Sequence, residues 1–222
     1  YLPRLVDFGA WTGRDVLEEP APRVELPAAR ALLAKAWGLP VTDLTPLPSE
    51  RDLNLLVGDS FVLKVSNPAE PGAVVEMEIC AMAHAAAADP ALAIPRIVPT
   101  VTGGTSDVVV DELGRSCRAR LVTVLPGGPL EGGLITAALA EQIGAAAART
   151  SLALQGFFHP AADRVLDWDP RRLPAVLEAA ESAGVVARPS DPVFFEIAQR
   201  VMPSLSATAW LRGGVQHADV TL

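Results

Sequence analysis

The chain has 222 residues, half of them hydrophobic, so it is long enough to bury a core as one large domain or two small lobes. Its net charge of −8, with no block of consecutive basic residues, argues against a nucleic-acid-binding surface and against binding to anionic membranes, but is compatible with a local positive site for a nucleotide. Its two cysteines, Cys80 and Cys117, form no disulfide or zinc-binding pattern, no hydrophobic run approaches the length of a membrane span, and we expect a reduced, cytoplasmic setting.

The first half of the chain predicts a small antiparallel sheet with one helix inserted after its third strand. Residues 1–26 show little periodicity and several prolines, as is typical of a lead-in or linker. A helix is predicted from Pro27 to Trp37, because apolar side chains recur on one face and a glycine follows. The pattern predicts strands at residues 41–47, 53–57, 61–65, 106–111 and 119–125, and a helix at residues 74–88. Residues 94–98 fit either a short strand or an extended connection.

Three polar features stand out in this sheet region. A polar turn at residues 48–52, which contains Ser49, could face a phosphate, and an ordinary solvated hairpin is the alternative. Alternation along the third strand separates Lys64 from its neighbours Leu63 and Val65, although a lone strand lysine usually faces solvent. The next helix carries Glu76 and Glu78 in its first turns, where acidic residues also interact favourably with the helix dipole. A strand lysine followed by a helix glutamate is the arrangement that fixes a lysine on nucleotide phosphates.

The second half of the chain is predicted to be mainly helical. Residues 126–129, Pro-Gly-Gly-Pro, form a natural hinge. Helices are predicted at residues 134–154, from Pro170 to Gly184, and from Pro192 onward, with a kink or an end at Pro203. His159, which precedes a proline in an aromatic-rich loop, is predicted to be structural.

The last residues of the sequence contain the triplet His217-Ala218-Asp219, which follows a helical pattern and a short extended run. Kinase catalytic loops begin in this way, and their aspartate accepts the proton of the attacking hydroxyl. A histidine, any residue and an aspartate also occur together by chance, so the triplet depends on its context. In kinases an asparagine five residues after the aspartate holds a metal ion, and that position would be 224 here.

Together, residues 49–57, 61–67, 121–130 and 217–219 resemble the aminoglycoside phosphotransferase-like small-molecule kinases. The resemblance extends from about Pro22 onward and is strongest to hydroxylysine kinases and to kinase-like domains fused to a class III aminotransferase. It implies an α+β, protein-kinase-like fold of two lobes. The N-lobe, residues 27–126, would hold a five-stranded antiparallel sheet with one inserted helix, and the mainly helical C-lobe, residues 127–222, would be incomplete.

The resemblance also implies roles for individual residues. Lys64 would bind the phosphates of ATP, with Glu78 as its partner and Glu76 as the less favoured one. The turn at Ser49 would cover the phosphates in place of a glycine-rich loop. The backbone would contact adenine at three consecutive residues, Thr123, Val124 and Leu125. In the catalytic loop, Asp219 would be the base and His217 would brace it.

Two departures from the family pattern qualify this prediction. Ala218 stands where the family has glycine, and the metal-binding asparagine and aspartate are expected beyond residue 222. We therefore assign no metal ligand within the sequence, although ATP and Mg²⁺ are the expected cofactors. We interpret the sequence as a fragment that is expected to be inactive by itself. Its parent protein is expected to phosphorylate the hydroxyl of a small, polar, amine-bearing molecule, and it could carry a fused aminotransferase domain.

Two other functions were weighed. A non-catalytic, kinase-like module that binds a nucleotide or regulates a neighbouring domain is the main alternative, and the residues after 222 would distinguish it from an enzyme. A protein kinase is less favoured, because the glycine-rich loop and the His-Arg-Asp form of the catalytic loop are missing.

Overall fold

The computed structural model describes residues 19–128, 135–164, 169, 173–184 and 192–207. Within these residues the chain divides into two compact units, residues 19–162 and residues 163–207. The larger unit contains an antiparallel sheet and helices, which gives the α+β class that the sequence predicts. The lobe boundary predicted at residues 126–127 stays a prediction, and most of the predicted lead-in lies outside the described residues.

The sheet has six strands, one more than predicted: β1 (Leu44–Leu47), β2 (Leu53–Val57), β3 (Phe61–Val65), β4 (Ile97–Val98), β5 (Asp107–Val110) and β6 (Ser116–Thr123). Its order is β1-β2-β3-β6-β4, and β5 also pairs with β6. The additional strand is β4. It lies within residues 94–98, where the sequence fits either a short strand or an extended connection. All strand pairings in the described part of the chain are antiparallel.

One face of the sheet is covered by the first helix, α1 (Leu26–Trp37). Pro27 lies in its first turn, and Gly38 ends it with a left-handed φ of 66° that a side chain would strain. The buried face of α1, which includes Leu33, packs into one core with the alternate strand residues Leu63 and Val65. The alternation predicted for β3 is therefore confirmed.

The second helix, α2 (Gly72–Ala88), follows β3 and contacts β4 and the next helix, α3 (Ala137–Ala153). Thr136 caps α3 by accepting a hydrogen bond from the Leu139 N–H at 3.2 Å. The ends of α2 and α3 are joined by an ion pair of 2.6 Å between Arg149 and Asp89.

A buried carboxylate holds the start of the described chain against the β5–β6 turn. The Asp111 side chain is fully buried and accepts hydrogen bonds from the backbone N–H groups of Leu113 and Arg115 and from the Arg115 guanidinium. Arg115 also pairs with Glu19 and donates to the carbonyls of residues 20 and 21. These bonds lower the pKa of Asp111, chiefly through the Arg115 side chain, against an opposing effect of burial.

The smaller unit contains α4 (Leu173–Ser182) and α5 (Pro192–Ala207). Leu177, Phe195 and Ala198 are its buried apolar residues within the described range. The helix α5 continues through Pro203, so that proline does not end it. In the part of the chain that the structure describes, no helix is both long and apolar enough to cross a membrane.

Candidate nucleotide site

Three polar residues form a row across the sheet, on the face turned away from α1. Asn54 of β2 is opposite Lys64 of β3, and Lys64 is opposite Arg120 of β6. Directly opposite residues of antiparallel strands have Cβ atoms about 4.5–5.5 Å apart, so the three side chains are neighbours. The row brings Arg120 of β6 beside Asn54 and Lys64, which lie on the consecutive strands β2 and β3.

Arg120 is the most buried member of the row, with 4% of its surface exposed. Its Nη1 donates to the Ser66 Oγ at 3.1 Å, and its Nη2 donates to the Glu78 Oε2 at 2.5 Å. Ser66 is buried at the end of β3, and Glu78 lies on α2 with about a third of its side chain exposed. The buried Nε of Arg120 has no hydrogen-bond acceptor among the described residues.

The structure corrects the predicted pairing of Lys64 with Glu78, because Glu78 pairs with Arg120 instead. A guanidinium can donate to two partners at once, and the buried Arg120 needs a carboxylate more than the half-buried Lys64. No carboxylate of the described residues lies within ion-pair distance of Lys64. The ammonium of Lys64 therefore has a charge that this part of the chain does not neutralise. Glu76, the less favoured partner, is exposed.

The turn at residues 48–52 joins β1 to β2, and Ser49 is exposed within it. The base of the turn is fixed by Asn67, which is 1% exposed just after β3. The Asn67 N–H donates to the Asp52 Oδ1 at 3.0 Å, and its Nδ2 donates to the Arg51 carbonyl at 3.3 Å. Asn67 has no predicted role, although an asparagine before a proline at a strand end is a signal for such a bonded turn.

The predicted adenine-binding segment begins at the last residue of β6 and is already partly hydrogen-bonded. The Thr123 N–H donates to the Arg96 carbonyl and the Val124 N–H donates to the Ser60 carbonyl, both at 2.9 Å. The Leu125 N–H has no partner within the described ranges. Of the three N–H groups, that of Leu125 is therefore the one available to a ligand.

The predicted catalytic residues His217 and Asp219 lie outside the described residues, so their position relative to Lys64 stays a prediction. His159 accepts a hydrogen bond from the Ala161 N–H at 3.1 Å and stacks with Phe157, which fits its predicted structural role. Burial raises the pKa of the Cys117 thiol, which makes this cysteine a poor nucleophile.

The predicted magnesium site cannot be built from the described part of the chain. No group of three or more histidine, cysteine, aspartate or glutamate side chains there could hold a metal ion. The Mg²⁺ requirement and the position of its ligands stay predictions.

Two solved kinases share this fold. One is a microcompartment-associated aminopropanol kinase, 20% identical, with a TM-score of 0.50, for which the match covers 65% of this chain and 45% of that chain. The other is an amicoumacin kinase in complex with AMP-PNP, Ca²⁺ and Ami, 14% identical, with a TM-score of 0.58 and coverage of 86% and 55%. The chain thus spans about half the length of each. At these identities the likeness establishes a kinase-like fold. No curated protein matches the chain.

A family match covers most of the sequence. The APH family, described as a phosphotransferase enzyme family, matches residues 43–222. The match includes the strands that carry Asn54, Lys64 and Arg120 and the helix that carries Glu78. The chain therefore belongs to the phosphotransferase enzyme family.

Proposed function

We propose that the chain is part of an ATP-dependent kinase that phosphorylates the hydroxyl of a small, polar, amine-bearing molecule. The observation that carries the proposal is the half-buried Lys64 ammonium, which lies on the face of the sheet turned away from α1 without a carboxylate partner among the described residues. Phosphoryl transfer depends mainly on positioning and on neutralising the phosphate charge, and an unpaired cation on a rigid strand suits that task.

The nucleotide would lie along this face. Lys64 would bind the phosphate oxygens, and the turn that contains the exposed Ser49 would cover them. The Leu125 N–H, which has no partner among the described residues, would donate to the adenine ring. Glu78 would contribute indirectly, since it is held by Arg120.

In the reaction, the acceptor oxygen forms a bond to the γ-phosphorus while the bond from that phosphorus to the bridging oxygen breaks. ADP leaves with the electron pair of the broken bond. Asp219 would accept the hydroxyl proton, and His217 would brace the loop that holds Asp219. A bound Mg²⁺ would neutralise phosphate charge, with its ligands expected beyond residue 222. The amine of the acceptor is proposed from the family resemblance, and the acidic net charge of −8 is compatible with it.

The test requires the open reading frame that contains residues 1–222, expressed as one polypeptide and screened with amino alcohols for ATP turnover. We expect Lys64→Ala and Asp219→Asn each to lower kcat by at least about a hundredfold, the scale of loss when charge stabilisation or a general base is removed. Lys35→Ala is a matched control, because Lys35 is the only other lysine of the chain and lies exposed on α1. Turnover that survives both Lys64→Ala and Asp219→Asn would refute the proposal.

Lysine labelling gives an independent measurement of the binding step. Because the chain has two lysines, mass spectrometry can follow the acetylation of Lys64 and Lys35 separately. We expect ATP to slow the acetylation of Lys64 and to leave Lys35 unaffected. Protection without turnover in the complete polypeptide would indicate the non-catalytic, nucleotide-binding module instead.

A further inference from the structure

The polar row contains two cations, Lys64 and Arg120, but Glu78 pairs with only one of them. Lys64 and Arg120 are directly opposite each other on neighbouring strands, where like charges repel, and Glu78 is the carboxylate that pairs with one of them. Whichever cation holds Glu78 is neutralised, and the other keeps its charge. The ion-pair partner of Glu78 therefore determines which of the two cations, Lys64 or Arg120, keeps a positive charge that can bind an anion.

The contacts of Arg120 explain why Glu78 pairs with Arg120 and not with Lys64. Its guanidinium is held on one side by the Ser66 Oγ and on the other by Glu78, and it is 4% exposed. A buried guanidinium without its carboxylate would be strongly destabilised, whereas the half-buried Lys64 can be solvated. If Arg120 is removed, the released Glu78 lies within side-chain reach of Lys64, since the two cations are adjacent in the register.

We propose that Arg120 is a positioning residue of the nucleotide site, which keeps the Glu78 carboxylate away from Lys64 and so leaves the Lys64 ammonium free to bind phosphate groups. This inference rests on the proposed function of Lys64. It differs from the pairing expected from the sequence, in which Glu78 would orient Lys64 directly. The two arrangements predict opposite consequences when Glu78 is neutralised.

The experiment measures the Kd for ATP and for adenosine by calorimetry, in the complete polypeptide and in its variants. We expect Arg120→Met to weaken ATP binding about tenfold, because Glu78 then neutralises Lys64, and to leave adenosine binding within about twofold. Glu78→Gln alone should leave the Kd for ATP within about threefold, since Lys64 does not depend on Glu78 in our proposal. The double variant Arg120→Met/Glu78→Gln should recover ATP binding to within about threefold of wild type.

A second conservative change keeps the test independent of folding defects. Arg120→Lys retains a cation that can hold Glu78, so its Kd for ATP should lie between those of wild type and Arg120→Met. Circular dichroism establishes that each variant is folded before its Kd is interpreted. If Arg120→Met does not fold, Arg120→Lys should still bind ATP more weakly than wild type, and an unchanged Kd in Arg120→Lys or a tenfold loss in Glu78→Gln would overturn the inference.

Three results would overturn the inference. One is a tenfold or greater loss of ATP binding in Glu78→Gln alone, which would mean that Glu78 supports Lys64 directly. The second is a double variant as weak as Arg120→Met, which would mean that Arg120 acts through the fold or touches the nucleotide itself. The third is an Arg120→Met variant that binds ATP as tightly as wild type. Lys64→Met serves as the reference: if it binds ATP normally, the proposed function fails, whereas if only Lys64→Met loses ATP binding, the inference about Arg120 fails alone.

Discussion

The side-chain amide of Asn67 connects the end of β3 to the turn that would cover the nucleotide. The loss of folding free energy on removing this amide can be calculated from its hydrogen bonds. Its side chain makes three hydrogen bonds: to the Glu19 carbonyl at 3.0 Å, to the Arg51 carbonyl at 3.3 Å and from the Ala69 N–H at 2.9 Å. A typical buried hydrogen bond contributes about 1 kcal/mol net. We therefore expect Asn67→Ala to lower the free energy of unfolding by about 2 to 3 kcal/mol.

The chain offers a matched control in Asn54→Ala. Asn54 is also an asparagine of the sheet region, but its buried Oδ1 has no hydrogen-bond partner among the described residues. Because removing an unsatisfied group recovers its desolvation penalty, Asn54→Ala should change the free energy of unfolding by less than about 1 kcal/mol. Urea unfolding followed by circular dichroism measures both variants under the same conditions.

A third variant tests whether the side-chain NH₂ group of Asn67 donates to both carbonyl oxygens. Asn67→Asp keeps an acceptor for the Ala69 N–H but places a carboxylate against two carbonyl oxygens, so its pKa should rise in the folded state. A raised folded-state pKa means that stability is regained as the pH falls through that pKa. Equal effects of Asn67→Ala and Asn54→Ala, or an Asn67→Asp variant that shows no gain in stability on acidification relative to wild type, would refute the assignment.

The remaining predictions concern the fold around the site. Asp111→Asn should remove the stability that the lowered pKa of Asp111 provides. In wild type this stability is fully present above about pH 4, the usual pKa range of a carboxylate, and is lost as the pH falls through the lowered pKa of Asp111. Urea midpoints measured from pH 7 to 3 should therefore fall less in the variant than in wild type. Leu63→Ala, at a fully buried position, should lower the free energy of unfolding by about 3 kcal/mol, and a loss under 1 kcal/mol would contradict the core described here. Arg149→Ala removes a largely exposed ion pair and should cost no more than about 1 kcal/mol in urea unfolding, so a larger loss would show that the pair matters more than its exposure suggests.

Local patterns were sufficient to predict most of the sheet. The observed bounds of β2 and β3 agree with the prediction, because short alternating runs there are bounded by turn residues. The same alternation placed Lys64 on the face opposite the core. By contrast, β4 has two residues, too few for any periodicity, and the missed start of β6, residues 116–118, contains an exposed serine and an exposed arginine beside a single apolar residue.

The partner of Glu78 could not be predicted in the same way. Arg120 is 42 residues from Glu78, and its role depends on the register that puts it beside Lys64. Register is a property of the assembled sheet, whereas the sequence shows the neighbours along one strand. Alternation puts Arg120 on the face opposite the core residues Ala119 and Leu121, so its burial and its need for a carboxylate could not be predicted from its own strand.

The position of β6 in the sheet has a consequence for how the protein opens. Residues 119–123 of β6 are bonded to β3 along one edge, while β5 and β4 occupy the other edge, whereas β1 is bonded to β2 alone within the described sheet. Amide hydrogens of β6 should exchange with solvent only through global unfolding, and those of β1 through local fraying. Arg120 thus belongs to the strand that should exchange most slowly, whereas the outer strand of the β1–β2 hairpin should exchange first.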